Sequence, residues 1–183
     1  DTLRRATYPP GNGGFPFIMG SYETKHMVVR NEIKSQLARL LATEDLIVEH
    51  KKVKTASFDV SRRLLVLPMW ERASDSVYDL LVGHEVGHAL FTPDEDPPKG
   101  IPHQFINVTE DARIEKLIKR KYLGLAKTFF RGYRELNDDD FFQIADEEVD
   151  EMNLADRANL FFKVGNFVDI SFTEEEQEII DQI

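Results

Sequence analysis

The most specific chemistry in the chain lies in His84-Glu85-Val86-Gly87-His88. On an α-helix, residues four apart share a face and are separated by about 6 Å along the axis. Two imidazoles so placed can hold one metal ion, each nitrogen reaching it at about 2.0–2.1 Å. Glu85 stands one step round the helix, where it can hold a metal-bound water and act as a general base. Histidine is scarce, five in 183 residues, so the spacing is not a by-product of a His-rich composition. The competing reading is a helix carrying one core histidine and one exposed one. Gly83 and Gly87 each cost about 1 kcal/mol in a helix interior, which predicts that something packs closely against this helix.

Catalytic zinc takes three protein ligands and leaves a position for water. The chain has no Cys, so the third ligand must be His, Asp or Glu. Glu110 is the leading candidate. It falls on the next predicted helix among Ile106, Ile114 and Leu117, and a carboxylate on an apolar face is costly unless it meets a cation. Asp111 is the second candidate and His103 the third. Arg113 and Glu115 are supporting contacts, or else ion pairs with Lys116, Lys119 or Arg120 at helical spacing. Peptide hydrolysis also needs a donor for the developing oxyanion, for which His103, Tyr122, Tyr133 and Arg113 are candidates.

The elements that must position these groups can be read along the chain. Residues 8–16 are dense in Pro and Gly, which breaks helix and strand alike. They lack the ending of a phosphate-binding loop, so residues 1–24 read as an N-terminal arm. Residues 25–43 place Ile33, Leu37, Leu40 and Leu41 at helical spacing. Between 46 and 67, β-branched residues and alternation predict two or three strands with a turn near Asp59–Arg62; His50 falls in the first as a structural or exposed residue. Ser74 or Ser76 caps the motif helix, which ends near Phe91. The acidic loop 94–100 lacks calcium-loop spacing and reads as a solvated turn. Pro102 opens a helix to about Lys121. Helical segments follow at 125–136, 141–145 and 154–168. Residues 137–140 read as a charge run at a helix N-terminus, and Thr173-x-x-Glu176 as a capping box. The expected organisation is an arm, a metal-binding core over 25–136 and a helical C-terminal segment over 137–183. The fold class is α+β, mostly helical, with a small antiparallel sheet packed on the motif helix.

A net charge of −10 disfavours nucleic acid and an anionic membrane surface as partners. No apolar run reaches membrane-spanning length, no signal peptide is visible, and the lack of Cys fits a reducing compartment. The expectation is a cytoplasmic location.

His-Glu-x-x-His followed by a carboxylate on a later helix resembles the gluzincin group of zinc metallopeptidases. The piece Asn107-Val108-Thr109-Glu110-Asp111-Ala112-Arg113-Ile114-Glu115 is similar to the Glu-Asp-x-Arg-Ile-Glu pattern in the peptidase-like domain of cobaltochelatase CobT-type proteins and phage proteins. The likeness covers residues 60–122. It implies a zincin-like fold, Zn2+ held by His84, His88 and Glu110, Glu85 as catalytic base, and a peptide or protein substrate paired with an edge strand at Arg63–Leu67. It also implies a further domain or an ATPase as partner, and host cytoplasm for a phage-encoded chain. The alternative it allows is a zinc-stabilised, catalytically silent interaction module in a larger assembly. An acidic helical adaptor without metal is the third reading.

Overall fold

The computed structural model describes residues 22–71 and 73–183. Most of the expected arm, and the Gly-rich piece within it, lies outside them. The architecture is α+β and mostly helical. Helix α1 (Tyr22–Ala42) is followed by β1 (Ile47–Lys51), β2 (Ser57–Asp59) and β3 (Leu64–Pro68). Then come α2 (Asp75–Phe91), α3 (His103–Lys121), α4 (Gly124–Asp138), a short 3-10 turn (Val149–Glu151), α5 (Leu154–Val164) and α6 (Glu174–Ile180).

The sheet is mixed rather than antiparallel. Strand order is β1-β3-β2, with β3 parallel to β1 and antiparallel to β2. The chain crosses from β1 to the far side of the sheet and returns through the turn after Asp59 into the middle. Alternation sets the faces: Leu65 and Leu67 are buried in the core, while Leu64 and Val66 are half-buried. β3 is therefore the central strand, hydrogen-bonded on both sides. The substrate edge expected at Arg63–Leu67 is not available there; the free edges belong to β1 and β2.

Helix α2 is the spine. It is apolar nearly all round, the pattern of a helix enclosed on every side, and it packs against α1, α3, α4 and the sheet. Ser74 caps it by accepting a hydrogen bond from the Val77 amide at 3.2 Å. Arg63 satisfies a carbonyl near its other end, donating to Ala89 O at 2.7 Å and to the Glu44 carboxylate at 2.8 and 2.9 Å. The close packing expected at the glycines is present. A Cβ on Gly83 would lie 2.8 Å from the Phe129 ring of α4, and one on Gly87 would lie 2.8 Å from Ile114 Cδ1 of α3. A third close approach, at Gly132 of α4, meets Leu80 at 2.8 Å and the Ser76 carbonyl at 2.9 Å.

Two expectations for the C-terminal part change. The acidic run at 137–140 closes α4 instead of opening a helix. Asp140 adopts a left-handed conformation and its Oδ1 accepts from the amides of Ile144 and Ala145. Residues 141–145 form turns, with Phe141 filling the core. The capping box at Thr173 and Glu176 is present, and Arg157 ties α6 down through Glu176. No helix among the described residues is long and apolar enough to cross a membrane.

Candidate metal centre

Helices α2 and α3 run antiparallel, as the order of their contacts requires. Glu115 meets His84, Ile114 meets Gly87, Asp111 meets His88, and Glu110 meets Thr92 just past the end of α2. The loop between Thr92 and Pro102 makes that return possible.

The two imidazoles converge as the four-residue spacing demands. His84 Nε2 lies 3.5 Å and His88 Nε2 3.2 Å from the same oxygen, Oδ1 of Asp111. His84, His88 and Asp111 form the group among the described residues able to hold a metal ion, each offering an atom within 4.8 Å of the others. The third member is Asp111, not Glu110. The buried stripe of α3 is Val108, Asp111, Ile114, Glu115 and Ile118, and Glu110 falls one step outside it. The Glu110 carboxylate instead accepts from Thr92 Oγ1 at 2.6 Å and from Arg113 at 2.8 Å. Its pKa is lowered: burial opposes the charge, but the bonds from Arg113 and Thr92 outweigh it.

Each donor is held from behind. His84 Nδ1 lies 2.8 Å from Glu115 Oε1, which also accepts from the Tyr133 hydroxyl. An ionised carboxylate can only accept, so Nδ1 carries the proton and Nε2 is left facing Asp111. His88 reaches the same state through a relay. Its Nδ1 lies 2.8 Å from Thr92 Oγ1, whose own proton goes to Glu110. Thr92 must therefore accept from His88 Nδ1–H. Both imidazoles are thus set in the tautomer that directs Nε2 at the carboxylate, the arrangement typical of metal-bound histidine. Two imidazole Nε2 atoms and a carboxylate oxygen can share so small a space with a cation between them or with protons on the nitrogens.

The charges agree. Glu85, Asp111 and Glu115 are buried carboxylates and Lys163 of α5 is the buried ammonium beside them, its Nζ 2.9 Å from Asp111 Oδ2. Lys119 approaches Glu115 from the rim, at 3.7 Å. Without a metal the pocket draws protons instead. Burial opposes a charge on His84, but Asp111 and Glu115 overcome it and push its pKa up to about 10. Asp111 is held well below the usual carboxylate range, its burial outweighed by Lys163 and His84. Burial raises the Glu85 carboxyl, against the pull of His84 and His88. Burial and the Glu115 charge raise Tyr133.

The other expected residues divide. Tyr133 is brought to the site as the hydroxyl that fixes Glu115. Arg113 braces Glu110 and donates to Phe91 O at 2.7 Å. Tyr122 lies apart, its hydroxyl donating to Leu41 O at 2.7 Å. His103 is exposed at the start of α3, eight residues and about 12 Å of helix from Asp111. His50 is structural: its Nε2 lies 2.9 Å from Ser35 Oγ. Thr92 and Lys163 were not anticipated. Thr92 stands four residues past His88, on the same helical face. Lys163 sits between Leu160 and Val164 on the buried side of α5, a lone cation on an apolar stripe. Compared with protein-family models, curated proteins and solved structures, the chain matches none.

Proposed function

We propose that the chain is a zinc-dependent metallopeptidase, with His84, His88 and Asp111 as ligands and Glu85 as general base. The observation that carries this reading is the convergence of two outwardly fixed imidazoles and one carboxylate oxygen beside a further buried carboxylate on the same helix. Two nitrogens and one oxygen suit zinc; the same donor set also accepts ferrous iron, so metal analysis of the purified protein is the first test. Zinc, when bound, polarises a carbonyl and brings a water's pKa toward 7.

The chain's own residues supply the rest. Glu85, next in sequence to His84, takes the water's proton on its carboxylate and returns it to the leaving amine nitrogen. The buried surroundings strengthen every charge interaction at that point. Glu115 with Tyr133, and Thr92 with Glu110, keep the imidazoles in one tautomer and one orientation. Among the four side chains considered for the oxyanion, Tyr133, Tyr122 and Arg113 already donate elsewhere and His103 lies up the helix, so none of them is assigned that role.

The test is cleavage of an unfolded protein substrate by wild type and by Glu85→Gln, with metal measured in both. The variant keeps its metal and loses about 10²–10⁴-fold in kcat. A wild type that binds zinc and cleaves nothing favours the second reading, a metal-stabilised interaction module. The near-complete burial of His84 and Asp111, 5% and 7% exposed, speaks for that reading, since structural zinc sites are closed.

A further inference from the structure

We infer that the outward face of α4 is an interaction surface for α6 of a second copy of this chain, so that copies join head to tail. The inference does not depend on the proposed metal site: α4 turns Tyr133 toward that centre and this face away from it.

Charge is unevenly spread along the chain. Its net charge is −10, yet residues 116–134 hold seven Lys or Arg and no Asp or Glu. Within α4, Phe129, Gly132, Tyr133 and Leu136 are buried. At about 100° per residue, Leu123, Lys127, Phe130, Arg131 and Arg134 fall together on the opposite side, and all five are exposed. Leu123 is 81% and Phe130 46% exposed, and Phe130 is steadied by Phe167, with ring centroids 5.0 Å apart. Lys127, Arg131 and Arg134 enter no ion pair among the described residues. The face therefore presents three cations around an apolar strip, with no acid beside them to neutralise it.

Helix α6 carries the complement. Its inner side is fixed by Ile180, which is buried, and by Glu176, which is taken by Arg157 and the Thr173 amide. Its outer side shows Glu174, Glu175, Glu178 and Ile179, the last 48% exposed. Glu174, Glu178 and Asp181 repeat the i, i+4, i+7 spacing of Lys127, Arg131 and Arg134. Each run spans about 10 Å of helix, so three acids can face three bases, and Ile179 stands among the acids as Phe130 does among the bases. The guanidinium forks of Arg131 and Arg134 suit carboxylates. A long polyanion or an anionic lipid surface laid along α4 would also meet Asp138 and Asp139, exposed at its C-terminal end; an acidic helix of two turns stops short of them. The two faces are different surfaces, so their contact is heterologous and builds an open chain or a ring.

The test is sedimentation of the purified protein over a concentration series at low and at high salt. The weight-average mass should rise with concentration at low salt and return to that of one chain at about 1 M, where the screening length is about 3 Å. Arg131→Glu/Arg134→Glu and Glu174→Lys/Glu178→Lys change only exposed positions. Each should associate at least about tenfold more weakly than wild type, because paired charges become like charges. Mixed in equal amounts, the two variants should associate again, since each reversed face then meets its opposite. A wild type that stays a single chain at low salt overturns the inference; binding of single-stranded DNA or phosphatidylserine vesicles that is lost in Arg131→Glu/Arg134→Glu would then give the face another occupant. Association of equal strength in wild type and both variants also overturns it, because the contact then lies elsewhere.

Discussion

Asp111 and Glu110 are neighbours with the same charge, and their exchange for amides should have very unequal consequences. Asp111→Asn removes the negative charge that faces Lys163 and the two imidazoles. Lys163 is 2% and Asp111 9% exposed at the side chain, so solvent screens neither. Breaking one side of such a buried pair costs about 3–5 kcal/mol. The amide oxygen can still accept the Lys163 hydrogen bond, which places the loss at the low end, about 3 kcal/mol. For a domain of this size that is a fall of about 6–12 °C in Tm. Glu110→Gln disturbs a pair whose arginine is 45% exposed, and such surface pairs contribute less than about 1 kcal/mol. Its effect on metal comes only through Thr92 and His88, about 10–100-fold in affinity. The assay is thermal unfolding in chelator, followed by metal content after dialysis against zinc. Asp111→Asn should unfold early and retain no zinc. The double variant Asp111→Asn/Lys163→Met should recover most of the lost stability without recovering zinc. A Glu110→Gln protein that loses its metal beside an Asp111→Asn protein that keeps it would exclude Asp111 as the ligand.

Three further outcomes follow from the packing and from His50. Gly132→Ala forces a methyl group against Leu80 and the Ser76 carbonyl; overpacking of about 2–3 kcal/mol exceeds the helix-propensity gain of about 1 kcal/mol, so denaturant titration should show a net loss. Gly87→Ala meets the buried tip of Ile114, three residues beyond Asp111. It should weaken zinc binding in a chelator competition more than it lowers Tm, because α3 must shift and carries Asp111 with it. Burial lowers the His50 pKa below its ordinary value of 6.5. A depressed folded-state pKa means that this stabilising contribution is complete above 6.5 and is lost as pH falls through the folded value. Acidification from pH 7 should therefore destabilise wild type more steeply than His50→Gln, read as the difference between their unfolding free energies across that range.

Much of the frame was legible because it depends on local rules. Ser74 as cap, Pro102 before α3, the turn after Asp59 and the capping box at Thr173 are short-range features, and each appears where composition and spacing place it. What failed was long-range. The order of strands is decided by which partner β3 finds on its second side, and nothing within Leu64–Pro68 encodes a parallel neighbour seventeen residues earlier. The acidic run at 137–140 has the composition of a helix start, but a helix was already in progress from Gly124. Asp140 became its terminator by folding its carboxylate over the next amides.

Which acid faces the imidazoles turned on a rotation of one residue, about 100° of helix. Ile106, Ile114 and Leu117 draw a stripe that includes Glu110, and apolar content alone marks that stripe as the buried one. Val108, Ile114 and Ile118 draw the stripe that is buried, and its two acids are Asp111 and Glu115. Both stripes share Ile114, which is why they were hard to separate by apolar content alone. The distinguishing fact was available in the acids themselves. His84 has one carboxylate in front, Asp111 beside Nε2, and one behind, Glu115 beside Nδ1. On a single helix those two acids must sit a turn apart on one face. Asp111 and Glu115 satisfy that spacing. Glu110 satisfies it only with Ile114, which can accept nothing. The geometry that made His84 and His88 a pair therefore also selects Asp111 and Glu115 as the pair that meets them.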